Sequence, residues 1–172
     1  MTRLMAWLVP AAGPVRDQLA ATIDRLAAEH HAPRFEPHVT MAGLFHSGEQ
    51  AAVQALTSLA AGARPFEVRF AAAGYEQAFF RALYLCAEPS PQLTALHEAA
   101  LAAWALESRP YMPHLSLLYA DIAEEHKRAI IGAVGVLLPL TIRLVAAELW
   151  ADHQAGVPSW HRLARVPFPG HA

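Results

Sequence analysis

The amino-acid sequence predicts an α+β fold in which helices pack outside antiparallel strands. One short motif occurs twice: residues 37–41 read Pro-His-Val-Thr-Met, and residues 113–117 read Pro-His-Leu-Ser-Leu. Each motif is followed by a helical pattern and then by two adjacent strand patterns, which are typical of a hairpin. Alternating strands and helices could also form a parallel sheet, but the hairpins and the duplicated halves favour the antiparallel arrangement.

Length and composition predict a single domain over residues 1–172, which we expect to be monomeric. Apolar residues make up 55% of the chain and charged residues 16%, well outside the range of disordered proteins. The formal net charge of −2 disfavours a partner held by many phosphates, so we expect no long nucleic acid. The single cysteine, Cys86, lies in an apolar run and is interpreted as a small buried residue, which fits a reducing, cytoplasmic compartment.

No stretch of the sequence has the pattern of a secretion signal or a membrane anchor. The apolar residues that follow Leu4 meet Pro10 before a signal-peptide core could form. The longest apolar stretch, residues 129–142, is interrupted by Pro139 and is too short to span a bilayer. We therefore expect no membrane association.

The first half of the chain predicts four strands and two helices, with the last two strands forming a hairpin. Residues 4–9 form a compact apolar run typical of a buried strand, and apolar residues recur at helical spacing over 14–29. Because a residue before proline is held in extended backbone, Pro37 predicts that a strand follows over 38–44. The further elements predicted in this half are a helix from a cap at 47–50 to residue 60 and strands over 65–73 and 79–87.

The second half repeats this order of elements. It predicts a helix opened by residues 89–91 and running to Trp104, a helix over 124–138, and strands over 113–119, 140–150 and 160–166. Each half thus contains one motif followed by a helix and a hairpin. The complete order, β-α-β-α-β-β-α-β-α-β-β, indicates an internal duplication.

The two motifs place the same pair of functional groups on one face of a strand. Side chains two residues apart share a strand face, so His38 lies beside Thr40 and His114 lies beside Ser116. The unperturbed pKa of an imidazole is near 6.5, so at neutral pH one histidine can accept a proton while the other donates one. Two such strands side by side predict acid and base catalysis on a phosphodiester, with the hydroxyls donating to phosphate oxygens.

Two other interpretations of these histidines are weaker. The chain has ten histidines, but chance does not account for matching prolines, matching hydroxyls and duplicated surroundings. A two-histidine metal site would lack a third ligand near either motif, so we expect neither a metal nor a cofactor. Six other histidines lack such a context: His46, His97, His126, His153, His161 and His171.

Residues 33–40 and 110–120 resemble the two signature segments of the two-histidine (2H) phosphoesterases, most closely those of the cyclic phosphodiesterase branch known from plants and yeast. The resemblance implies a bilobal fold with two antiparallel β-sheets facing a central groove, each lobe contributing one His-x-Thr/Ser motif. It also implies that His38 and His114 are the acid and base pair, and that Thr40 and Ser116 bind the phosphate.

The resemblance further implies that cyclic phosphates are opened without a metal. The plant and yeast enzymes open ADP-ribose 1″,2″-cyclic phosphate, and they open nucleoside 2′,3′-cyclic phosphates to 2′-phosphates. We therefore expect a small cyclic-phosphate nucleotide as substrate, with His114 as base and His38 as acid. Arg34 and Arg109 flank the motifs and could attract a diphosphate, although single arginines are equally typical of a surface. The alternatives are an RNA-end-processing enzyme of the same superfamily, which opens or seals 2′,3′-cyclic ends, and a protein that binds cyclic nucleotides without turnover.

Four aromatic residues complete the predicted site. Tyr119 matches a tyrosine expected at the phosphate, although strand alternation places it on the face opposite His114. Trp7, Phe79 and Phe80 would line the base or sugar side of the groove, whereas aromatic residues on strands are also common in protein cores.

Overall fold

The structure, a computed structural model, describes residues 1–153 and 156–170. The predicted domain of 1–172 therefore extends over four residues outside that part, one of which is His171. The strands are β1 (Thr2–Pro10), β2 (Val39–Ser47), β3 (Phe66–Gly74), β4 (Leu83–Ala87), β5 (His114–Leu118), β6 (Leu140–Ala151) and β7 (His161–Pro167). The helices are α1 (Pro14–Glu29), α2 (Glu49–Gly62), α3 (Pro91–Ala103) and α4 (Glu124–Val134). One-turn 3₁₀ helices lie at Phe79–Arg81, Gly135–Leu137 and Val157–Ser159.

All seven strands pair in one antiparallel sheet, in the order β1-β2-β5-β4-β3-β6-β7. β6 also pairs with β1, so six strands form a closed ring. β6 is long enough to pair with β3 over 140–144 and with β1 and β7 over its second half. The predicted antiparallel α+β fold is confirmed, and β6 makes the two expected sheets continuous.

The two faces of the strands belong to two different hydrophobic clusters. In β1, Leu4, Ala6 and Leu8 belong to the main hydrophobic cluster, which also contains the buried faces of α1 and α2. The alternate residues Met5 and Trp7 belong to a separate, smaller cluster. The period of two along a strand thus directs one face towards the helices and leaves the other for the site described below.

Two predicted elements are shorter in the structure. The strand predicted over 79–87 begins at Leu83, because its first residues form the 3₁₀ turn Phe79–Arg81. The helix predicted over 124–138 ends at Val134 and is followed by the 3₁₀ turn Gly135–Leu137, just before Pro139. Within the described residues, no helix is long and apolar enough to cross a lipid bilayer.

Candidate active site

The two motifs meet at the point where β2 pairs with β5. The paired residues are Val39 and Leu115, each of which lies between the histidine and the hydroxyl residue of its motif and is fully buried. Because both neighbours of each paired residue project from the opposite face, the strands bring both histidines and both hydroxyl residues to one cavity of about 260 Å³. The rest of this central cavity is lined by Met5, Trp7, Gly43, Leu44, Phe80, Arg81, Tyr119 and Trp160.

The same backbone contact orients both imidazoles. Nδ1 of His38 lies 2.7 Å from the carbonyl oxygen of Glu36, and Nδ1 of His114 lies 2.8 Å from that of Met112. A carbonyl oxygen only accepts, so each Nδ1 carries a proton and donates it. In the neutral form, each Nε2 is then unprotonated and able to accept a proton. The proline between each carbonyl and its histidine holds the preceding residue extended, which explains why both motifs form this contact.

His38 is the more buried of the two histidines. Its side chain stacks on Trp7, with ring centroids 3.7 Å apart and planes 8° from parallel, and only 4% of the residue is exposed. Burial lowers the pKa of His38 to about 4; the hydrogen bond to Glu36 opposes this effect, and the nearby His114 adds to it. His38 is therefore neutral at neutral pH in the unliganded protein.

His114 lies in a more open and more charged environment. It is half-buried, and the ring of Tyr84 meets it edge-on at a centroid distance of 5.3 Å. Burial lowers the pKa of His114, and the hydrogen bond to Met112 counteracts part of this effect. Smaller opposing contributions come from Arg81, which lowers the pKa, and Glu76, which raises it. The two imidazoles thus share an orientation but differ in solvation.

Thr40 is held from behind by two residues that sequence reasoning missed. The hydroxyl of Tyr111 donates to the carbonyl oxygen of Thr40 at 2.9 Å, and Nδ1 of His97 donates to that of Met41 at 2.8 Å. The rings of Tyr111 and His97 stack on each other, 3.9 Å apart and 5° from parallel. The described part of β2 pairs with β5 only at Val39. The side chains of Tyr111 and His97 therefore supply the hydrogen bonds to the next two carbonyl oxygens of β2 and fix the backbone of the first motif.

Tyr119 reaches the cavity because β5 has one extra residue in its pairing with β4: Tyr84 pairs with Ser116 and Leu83 with Leu118, so the alternation of faces changes after Ser116. The expected placement on the face opposite His114 therefore does not apply. Its ring stacks on Phe35 at 3.8 Å, and its hydroxyl lies 3.5 Å from Nε2 of His38. Burial raises the pKa of Tyr119, an effect that a hydrogen bond with Ser116 reduces, so the phenol stays protonated and can donate.

The predicted groove aromatics divide into lining and supporting residues. Trp7 and Phe80 line the central cavity. Phe79 does not belong to the described lining, because the 3₁₀ turn directs it away, edge-on against Phe80 at 5.1 Å. Trp160 was missed: it lies 5.8 Å from Phe80 and 5.7 Å from Trp7 by ring centroid. As a lone tryptophan at the start of the last strand, it gave little local signal.

The arginine that lines the central cavity is not one of the two that flank the motifs in sequence. Arg34 and Arg109 border other surface grooves; they lie 3.8 Å from Asp24 and 4.0 Å from Glu107. Arg81, which the sequence did not single out, lines the central cavity. Across residues 1–153 and 156–170, no group of three or more His, Cys, Asp or Glu side chains could hold a metal ion.

Comparisons with solved structures support this fold. E. coli LigT complexed with 3′-AMP superposes with a TM-score of 0.62 at 22% identity over 98% of both chains. E. coli LigT complexed with NADP+ gives 0.63 at 19% identity over 97% of this chain and 98% of that one. A Thermus thermophilus protein gives 0.67 at 16% identity over 99% of this chain and 100% of that one. At these identities the likeness concerns the fold.

Comparisons of sequence identify the family. A cyclic phosphodiesterase of Arabidopsis thaliana is 30% identical over 107 residues, which are 62% of this chain and 59% of that relative's length. The model of the 2′-5′ RNA ligase superfamily matches residues 15–156, which contain both motifs. With the family model spanning most of its length, the chain belongs to the 2′-5′ RNA ligase superfamily and is a two-histidine phosphoesterase.

Proposed function

We propose that the protein is a metal-independent cyclic phosphodiesterase. It hydrolyses ADP-ribose 1″,2″-cyclic phosphate, nucleoside 2′,3′-cyclic phosphates or both to the ring-opened monoester, which is a 2′-phosphate for nucleotides. The observation that carries the proposal is that His38 and His114 each donate a hydrogen bond from Nδ1 to a backbone carbonyl oxygen, with Thr40 and Ser116 in the same cavity. Binding alone does not require two imidazoles that each keep Nε2 unprotonated and able to accept a proton.

The geometry suggests how the reaction proceeds. A cyclic phosphate bound between the imidazoles is attacked in line by a water molecule, whose proton passes to Nε2 of the neutral histidine. The bond from phosphorus to one sugar oxygen breaks, and the charged histidine protonates that oxygen. Thr40, Ser116 and Tyr119 donate hydrogen bonds to the non-bridging oxygens, where negative charge increases during attack. The two histidines then exchange protonation states before the next turnover.

The positions of the two histidines favour His114 as base and His38 as acid, the assignment made from sequence. The half-buried His114 is nearer to solvent, which supplies the attacking water, and the enclosed His38 is left to protonate the departing sugar oxygen. Because the pKa of His38 is about 4 without ligand, His38 becomes charged only when the phosphate anion raises that pKa. Substrate binding is therefore accompanied by proton uptake at neutral pH.

RNA-end processing is a second candidate, favoured by one further observation. A groove of about 840 Å³ borders His114 on the side of α3 and continues past Met112 to Arg109. This groove gives room for further nucleotides on the substrate. An oligonucleotide with a 2′,3′-cyclic end is therefore included in the test.

The decisive experiment is turnover in EDTA between pH 4 and 9. The substrates are ADP-ribose 1″,2″-cyclic phosphate, four nucleoside 2′,3′-cyclic phosphates and the cyclic-ended oligonucleotide, with products identified by phosphorus NMR. We expect a bell-shaped rate profile that is lost in His38→Ala and His114→Ala and kept in His46→Ala, whose histidine is exposed on β2. Absence of turnover, or turnover only with added metal, would show that the proposal is wrong; affinity without turnover would indicate a binding protein.

A further inference from the structure

One charged side chain of the central cavity has no part in the acid and base mechanism. Among the described residues that line this cavity, Arg81 alone carries a permanent charge, while most of the others are apolar or aromatic. We propose that Arg81 binds a second phosphate of the substrate, carried at the 5 position of the sugar whose cyclic phosphate is opened. This inference rests on the proposed function and specifies the class of substrate.

Arg81 is presented by a turn that the fold holds firmly. Its backbone N–H donates to the carbonyl oxygen of Ala78 at 2.9 Å, and its own carbonyl oxygen accepts from the backbone of Glu76 at 3.0 Å. Lys127, which is only 1% exposed, donates from Nζ to the carbonyl oxygen of Glu76 at 2.7 Å. The hydrogen bond from this buried lysine therefore fixes the position of the turn.

The guanidinium is oriented but keeps donors for a ligand. Nη2 of Arg81 lies 2.8 Å from a carboxylate oxygen of Glu76, and the side chain is 44% exposed. A guanidinium has five N–H donors in a fixed plane, so one contact with Glu76 sets its direction without using all of them. Two parallel donors of an arginine match two phosphate oxygens, which is the geometry that favours Arg in phosphate sites.

The aromatic wall of the cavity extends to Arg81. Trp7 stacks on His38, and Trp160 lies against both Trp7 and Phe80, the residue before Arg81. A sugar cyclic phosphate between the imidazoles thus lies along an aromatic surface that ends at a cation. A second phosphate on that sugar gains charge-assisted hydrogen bonds where it meets Arg81.

Substrates with this chemistry come from two sources. In ADP-ribose 1″,2″-cyclic phosphate, the sugar with the cyclic phosphate carries a diphosphate at its 5 position. In an RNA end, the last nucleotide carries a phosphodiester at the same position. A free nucleoside 2′,3′-cyclic phosphate carries neither and leaves Arg81 unused.

The test compares adenosine 2′,3′-cyclic phosphate with and without a 5′-phosphate. The ratio of their kcat/KM values cancels any change in chemistry that affects both substrates. We expect a ratio of about 10 in the wild type, from the added charged hydrogen bonds, and a ratio near one in Arg81→Met. Arg81→Lys should keep part of the preference. Arg34→Met is the matched control, because Arg34 is exposed and outside the central cavity, and should keep the full ratio.

A wild-type ratio near one, or an equal ratio in Arg81→Met, would overturn the inference. ADP-ribose 1″,2″-cyclic phosphate and a cyclic-ended dinucleotide, assayed in parallel, identify the source of the second phosphate. If no cyclic phosphate is turned over, the proposed function fails but Arg81 is still tested by calorimetry. Adenosine 2′,5′-bisphosphate should then bind about 10-fold more tightly than the 2′-monophosphate, and Arg81→Met should abolish the difference. Equal affinities would contradict the inference on their own.

Discussion

The two motifs hold their imidazoles identically and place them in different surroundings. His38 and His114 each donate from Nδ1 to a carbonyl oxygen two residues earlier. His38 is enclosed and stacked on Trp7, whereas His114 is half-buried, with Tyr84 at its edge and the charge of Arg81 nearby. The duplicated backbone thus fixes position, and residues outside the duplication determine proton affinity. An almost symmetrical pair can therefore divide into one acid and one base.

The largest expected effect separates these two roles. His38→Ala and His114→Ala should each reduce kcat/KM about 1000-fold, since each removes one proton-transfer group. A nucleoside 2′,3′-cyclic phosphate with sulfur in place of the 3′ leaving oxygen needs no acid, because a thiolate leaves unprotonated. This substrate should restore the rate of His38→Ala and leave His114→Ala inactive. Rescue of His114→Ala alone would reverse the assignment, and rescue of both or neither would contradict a division into acid and base.

The next effect concerns stability and pH. The pKa of His38 is about 4 in the folded protein and near 6.5 when unfolded, so between these values the unfolded chain binds the extra proton. Stability from this source is complete above pH 6.5 and decreases as the pH falls to 4, by about 3 kcal/mol in total. His38→Gln should remove this part of the pH dependence in guanidinium unfolding curves. His114→Gln should remove less, because its imidazole is more exposed; equal effects would mean that burial does not distinguish the motifs.

Local pattern was sufficient to predict the order of elements and the meeting of the four motif residues at one cavity, because strand alternation and proline restriction act over a few residues. The pairing of Val39 with Leu115 was implicit in the duplicated motif. Residues that reach the site only through tertiary contacts had no local sequence pattern that could predict their place. Tyr111 and His97 support Thr40 through contacts between distant segments, and Tyr119 enters the cavity because the pairing of β5 with β4 shifts by one residue after Ser116. Residues that tune a site without repeating a motif need the fold to be recognised.

The hydroxyl residues extend the comparison with a smaller effect. Thr40→Val and Ser116→Ala should each lower kcat about 100-fold with little change in KM, since the lost hydrogen bond strengthens during attack. In the unliganded protein, Oγ of Ser116 donates to the carbonyl oxygen of Phe80 at 3.2 Å, and its one proton must turn from that oxygen to the phosphate when substrate binds. Ser116→Ala and Thr40→Val should therefore both leave the preference for a 5′-phosphate intact. Thr40→Ser, which keeps the hydroxyl, is the control; if it is as slow as Thr40→Val, hydrogen bonding is not the cause.

The smallest expected effect comes from a substitution outside the cavity, at Gly74, that acts on the second motif through Tyr84. A Cβ at Gly74 would lie 2.7 to 2.9 Å from two ring carbons and the phenolic oxygen of Tyr84, which is 7% exposed and meets His114 edge-on. Gly74→Ala must displace that ring, so we expect a loss of about 2 kcal/mol in unfolding free energy and a lower kcat/KM.

The matched control for Gly74→Ala is Gly132→Ala in α4. A Cβ at Gly132 meets nothing within 4 Å, and alanine favours a helix over glycine by about 0.5–1 kcal/mol, so this variant should be slightly more stable. In Gly74→Ala, the pH dependence assigned to His38 should be unchanged, because the disturbance enters on the side of His114. A Gly74→Ala protein with normal stability and rate would show that Tyr84 moves freely, and the second imidazole would then owe its position to the Met112 carbonyl alone.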